Sequence, residues 1–240
     1  MRIEENDFEP KKLFPLISEG FSRFIKLFLV TVPFLLLLFT IQYLGFEYLK
    51  DIYLENAYVT SLLPIFQFFF DTLSAAVFLA FIGFILTSSV QSAWKVLFRS
   101  IAKVGPILGL LVLSSVMYFL LVTIGSLFFI IPGFLFLVWF YFYPITLAME
   151  RLSLLESFKR SKQLVAGCFW KVVGLLVTFY VVRYILYLTV STLQPYEYVS
   201  YMVASLLTIS AECICIFLLY LNQRSEKEAI TYKTYLKEVI

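Results

Sequence analysis

The chain has 240 residues, 61% hydrophobic and 15% charged, with 27 Phe, 16 Tyr and a formal net charge of +3. A soluble domain carries roughly 25% charge, so this composition excludes an ordinary soluble enzyme or nucleic-acid-binding module and implies a polytopic membrane protein. The absence of histidine excludes a His-based catalytic triad and a His-containing zinc site.

The first ten residues, MRIEENDFEP, are acidic and polar. No small-x-small cleavage site follows the first apolar run, which is expected to be a retained span and not a signal peptide. Just before it, Leu13, Ile17, Phe21, Phe24 and Phe28 recur every three or four residues, the pattern of an amphipathic helix. About 20 apolar residues at ~1.5 Å rise cross a ~30 Å hydrocarbon core, and span one is predicted at residues 27–46. Span two is predicted at 62–86 and contains Asp71. A second amphipathic stretch follows, with Val90, Trp94, Leu97 and Ile101 on one face and Lys95, Arg99 and Lys103 in a row at i, i+4 and i+8.

Residues 104–149 carry no charge and are too many for one span. A fold-back is expected at IIPG (130–133), because proline removes a donor and glycine loosens the backbone. This gives spans three and four, with the aromatic run WFYFYP (139–144) deep in span four and available for helix packing. The next stretch, LLESFKRSKQLVAGCFWKVVGLL, again reads as a basic amphipathic helix. Leu155, Phe158, Val165 and Phe169 share a face broken by Lys162, with Glu156, Lys159, Arg160, Gln163 and Gly167 largely opposite. Spans five (172–193) and six (199–221) contain Arg183 and Glu212, and a mixed-charge tail with Tyr232, Leu236 and Val239 on one face closes the chain.

The expected fold class is therefore all-α: six transmembrane helices plus three cytoplasmic interfacial helices, in one membrane domain. Seventeen Lys and Arg residues fall on the side of the termini, against Lys50 alone on the other. By the positive-inside rule both termini are cytoplasmic, and the lack of any N-x-S/T sequon fits a bacterial inner membrane. The basic helices are expected to lie in the interface with Lys26, Lys95, Arg99, Lys103, Lys159, Arg160, Lys162 and Lys171 towards lipid headgroups. Anionic membrane lipids are thus the expected partners, at roughly 1 kcal/mol per well-placed basic residue. Each basic helix ends alike, in FIKL, IAKV and FWKV. This predicts a threefold internal repeat with units at 11–86, 87–149 and 150–221, and a tail at 222–240.

The stretch from Ile131 to Leu176 carries Pro132, Gly133, Pro144, Glu150, Glu156, Ser157, Phe158, Lys159, Arg160, Ser161, Leu164, Gly167, Trp170 and Lys171. In this order it resembles the YciC-like bacterial inner-membrane proteins and the membrane domain fused to glycerophosphodiester phosphodiesterases. Ser157 stands where that pattern usually has alanine. The resemblance implies a helical inner-membrane protein and brings no catalytic site, since the acid and histidine ligands of the phosphodiesterase are missing.

Charges inside spans are costly, roughly 2.5–3.5 kcal/mol at mid-bilayer on insertion scales, and normally have partners. Arg183 and Glu212 lie ~16 and ~14 Å from the cytoplasmic ends of adjacent spans, and Asp71 ~22 Å from the end of its own. Arg183 is expected to pair with Glu212, with Asp71 as a second partner or competitor, either to fix helix register or as a polar point on a path for protons or a headgroup. Other chemistry is absent: there is no phosphate loop, and Asp7, Asp51 and Asp71 are too scattered for a metal site. Cys168, Cys213 and Cys215 sit in apolar surroundings with no sign of a disulfide framework. Ser88, Ser92, Ser157 and Ser161 lie near lysines, but in amphipathic helices where small polar residues are ordinary. The expectation is a non-enzymatic, cofactor-free membrane protein, lipid-associated and concerned with envelope or membrane organisation. The alternative is a small transporter or flippase for an amphiphilic solute or lipid, built on Arg183, Glu212 and Asp71.

Overall fold

Long apolar runs satisfy their backbone polar groups internally as helices, because hydrocarbon offers no partners. The computed structural model describes residues 5–53, 63–87, 93–193, 197–231 and 234–235. Among these the α-helices are α1 (Leu13–Tyr53), α2 (Leu63–Thr87), α3 (Ala93–Val104), α4 (Leu108–Phe128), α5 (Ile130–Trp139), α6 (Tyr143–Met149), α7 (Leu154–Val165), α8 (Phe169–Leu193) and α9 (Glu197–Glu228). The described residues contain no strand, and six helical stretches are long and apolar enough to cross a membrane. Residues 54–62 between spans one and two, Ser88, Val90 and Ser92, and the tail positions Tyr232, Leu236 and Val239 lie outside the described residues, while residues 47–53 continue α1.

The centre of the bundle is formed by α2 and α9. Residues 76–87 of α2 and 210–224 of α9 are buried without interruption, as expected of helices apolar on every side. The other helices pack around this pair. Where α1 meets α9 the approach is so close that a Cβ on Gly20 would run into the Cys215 sulfur, which would have to turn away. The three cysteines are buried and free.

Three expectations about the elements need correction. First, α1 is one continuous helix of 41 residues, about 62 Å long, so its amphipathic beginning is not a separate interfacial helix. No proline or glycine pair separates residue 26 from residue 27, and a single helix is the cheapest way to satisfy that backbone. The second and third basic helices do break before the following span, at Gly105–Ile107 and at residues 166–168.

Second, the fold-back precedes IIPG. Phe129 alone is extended, and α5 starts at Ile130 with Pro132 in its first turn, where a missing N–H costs nothing. Gly125 and Gly133 let α4 and α5 meet, since a Cβ on Gly133 would run into the Ser126 hydroxyl. Span four then breaks again: α5 stops at Trp139 and α6 begins at Tyr143, so WFYFYP forms a joint and not the middle of a continuous span. Pro144 lies in the first turn of α6, where it disfavours extension of that helix towards α5. Third, α9 runs on to Glu228, past the expected end of span six, and stops at Ala229 in the left-handed region (φ 52°).

The third basic helix, α7, is also not laid flat on its own. It packs on the joint with Ser157, Phe158, Ser161, Leu164 and Val165 buried. Phe158 stacks on Tyr143 at 5.0 Å between ring centroids.

Candidate polar cavity between α2, α8 and α9

Arg183 on α8 and Glu212 on α9 meet. The guanidinium Nη2 donates to Glu212 Oε2 at 2.5 Å, and Nε donates to the Thr208 hydroxyl at 3.0 Å. The second carboxylate oxygen of Glu212 accepts from the Tyr141 hydroxyl at 2.7 Å. Tyr141 comes from the joint in span four, so the break delivers this third partner to the pair. Thr208 bonds its own helix as well, donating to the Ala204 carbonyl at 2.9 Å.

Asp71 lies in the same place. Its Oδ2 accepts from the Tyr201 hydroxyl of α9 at 3.2 Å. Asp71, Tyr141, Arg183, Tyr201 and Glu212 all line one cavity of about 210 Å³. Its remaining walls are mostly apolar and aromatic, including Phe39, Phe68 and Tyr118. Arg183 keeps 23% of its side-chain surface exposed, so part of the guanidinium faces this space. An apolar hollow with a few convergent polar groups is the usual form of a small-molecule site.

The joint beside the cavity is satisfied side chain by side chain. The Leu137 carbonyl accepts from the Tyr118 hydroxyl at 2.9 Å. The Ser161 hydroxyl of α7 accepts from the Phe142 N–H at 3.0 Å and donates to the Trp139 carbonyl at 2.9 Å. One serine thus satisfies two groups that a continuous helix would satisfy itself.

The eight residues expected to face headgroups divide. Lys26, Lys95, Arg99, Lys103, Lys159 and Lys162 are exposed, and Lys171 is half-buried. Lys103 sits 5.5 Å from the centre of the Phe84 ring, and Lys162 4.5 Å from that of Trp139. Arg160 needs correction: it turns inward to Glu150 at 2.9 Å and to Glu228. Burial works against its charge, but Glu150 and Glu228 more than offset that and raise its pKa above the usual arginine value. Tyr141, Tyr201, Thr208 and Ser161 were not singled out as site residues from sequence. The available signals are Ser157 and Ser161, four residues apart on the face that also carries Phe158, Leu164 and Val165, and Tyr141 three residues before a proline.

Fold and cavity together define an all-helical protein with six candidate membrane spans and an ion pair between two of them. Residues 49–219 match a family described as "Domain of unknown function (DUF7847)". The match covers more than two thirds of the chain, and the protein belongs to this family. It includes Asp71, Tyr141, Ser161, Arg183 and Glu212 and omits all of α1 before its last turn. No curated protein and no solved structure matches the chain, and no match ties it to the YciC-like proteins or to the phosphodiesterase-linked domain.

Proposed function

We propose that this chain is a non-enzymatic, multi-pass protein of a bacterial inner membrane, with both termini cytoplasmic. In this reading it admits an amphiphilic solute or lipid at the Arg183 cavity and moves it as a small transporter or flippase. The observation that carries the reading is the hollow itself. An ion pair that only fixed helix register would be packed shut, whereas Arg183 and Glu212 border about 210 Å³ of space with apolar walls. Apolar walls suit a chain or ring, and the guanidinium and carboxylates suit a polar head.

A second reading has its own support. On α3, Lys95, Arg99 and Lys103 are exposed together with Phe98 and Ile101, an arrangement that suits anionic lipid and a role in membrane organisation. One experiment separates the two. The protein is reconstituted in vesicles containing anionic phospholipid, and both flipping of headgroup-labelled phospholipid and lipid retained on repurification are measured. Carriage through the cavity predicts flipping that slows about tenfold in Glu212→Gln and is unchanged when Lys95, Arg99 and Lys103 are replaced by Gln. The organising reading predicts the opposite pattern, with retained anionic lipid falling in the triple variant. Flipping no faster than in protein-free vesicles would count against carriage of phospholipid.

A further inference from the structure

We infer that α7 is a clasp that holds span four broken, and that the break is what keeps Tyr141 on Glu212 and the neighbouring Cys213 buried. Three observations converge on this. The Ser161 hydroxyl bridges the Phe142 N–H and the Trp139 carbonyl across the joint. The Thr146 hydroxyl of α6 donates to the Ser157 carbonyl of α7 at 3.1 Å, so α7 binds the joint's inner side too. The far side of α7 is anchored through Arg160 to Glu150, at the end of α6, and to Glu228, at the end of α9.

Irregular backbone at membrane depth is tolerated only where it is buried in protein or lines a cavity. Here it does both, and the residue carried by the irregular segment is the one that reaches the ion pair. Two arrangements of residues 139–142 compete. In one, Ser161 supplies the missing partners and Tyr141 points at Glu212. In the other, α7 withdraws, the turn rewinds towards helix so that Phe142 N–H and the Trp139 carbonyl find partners within their own chain, and Tyr141 leaves the carboxylate. Displacing α7, or loosening its anchor, shifts the population towards the second state. The inference rests on the cavity being the site only for what the clasp serves, and the test below reads access to the cavity rather than transport.

Cys213 lines the cavity, whereas Cys215, two residues on, packs on α1 with its thiol towards the Leu16 carbonyl. The full-length protein in lipid vesicles is treated with N-ethylmaleimide, and the alkylation rate of each cysteine is followed by mass spectrometry. Ser161→Ala is expected to raise the Cys213 rate about fivefold, the factor a lost hydrogen bond of ordinary strength carries, with Cys215 unchanged. Glu228→Gln, which loosens the anchor without touching the joint, is expected to raise it about twofold. Ser157→Ala is the control, because among the described residues that hydroxyl bonds only within α7, to the Leu154 carbonyl at 2.7 Å, and it should leave both rates alone. Equal rises at Cys213 and Cys215 would show general loosening and overturn the inference. So would an unchanged Cys213 rate in both Ser161→Ala and Glu228→Gln. Loss of flipping activity from all forms, with the Cys213 pattern intact, would remove the transport reading and leave the clasp standing.

Discussion

Two of the molecule's charge clusters are built from the same chemistry and closed to different degrees. At the foot of α7, Glu150 accepts from Arg160 Nε at 2.9 Å and from the Tyr220 hydroxyl at 2.8 Å. Arg224 donates to Glu228 at 3.0 Å and stands 3.8 Å from Glu150. Each carboxylate there has at least two partners, and the cluster ties the ends of α6, α7 and α9 together. Between α8 and α9, Arg183 and Glu212 form one ion pair and leave part of the guanidinium facing a cavity. The closed cluster works as a cross-link. The open one keeps donors available for something else, which is why the functional proposal rests on it.

That contrast can be broken by substitution. Arg183→Leu removes the only ion-pair partner seen for Glu212 among the described residues and leaves a carboxylate in an apolar setting with one phenol. The expected loss is about 3–5 kcal/mol, read as a lower unfolding midpoint in mild detergent. Arg183→Leu combined with Glu212→Leu should recover most of it. Arg160→Gln in the closed cluster is expected to cost less, about 1–2 kcal/mol, because Arg224 still faces both carboxylates. If Arg160→Gln proved the more damaging, the foot cluster rather than the α8–α9 pair would be the main ionic support of the bundle, and the two regions would have to exchange roles.

How far each region could be read from sequence follows the same division. Arg183, Glu212 and Asp71 stand out because a charge inside a 20-residue apolar run has few explanations, and helical rise alone sets the first two at one depth. Arg160 does not stand out, because it sits among Lys159 and Lys162 and looks like any basic residue at a membrane edge. What distinguishes it is Glu228, 68 residues away, and periodicity carries no information about such a contact. The spans at α2, α8 and α9 were visible in hydropathy to within a few residues at their outer ends. The joint at residues 140–142 was not, because its backbone is satisfied by Ser161 and Tyr118 from other helices. A serine on the apolar face of α7 was the trace of that arrangement, and it reads the same whether the face meets lipid or a broken helix. Amphipathic pattern tells that a helix has a buried face, not what buries it.

The smallest effect concerns the N-terminus of α7, where the clasp begins. Glu156 accepts from the Ser153 hydroxyl at 2.6 Å and from the Ser153 N–H at 3.1 Å, closing the first turn as a capping box does. These two bonds, the hydroxyl's first, hold the Glu156 carboxyl below the usual value of 4.5. A folded value below the unfolded one means that the cap adds stability above about pH 4.5 and loses it as the pH falls through the lower folded value. Protection of the first-turn amides of α7, taken relative to the intrinsic chemical exchange rate, should therefore fall on acidification below about pH 4.5 in the native protein. In Glu156→Gln the same amides should exchange faster at neutral pH and show no further acid-induced rise beyond the intrinsic chemical rate. In Glu156→Gln at neutral pH the foot cluster two turns away should confine the change to that first turn, because Arg160 still pairs with Glu150 and Glu228. Fraying that instead spread to Ser161 would mean the cap, and not the ionic anchor, keeps α7 on the joint.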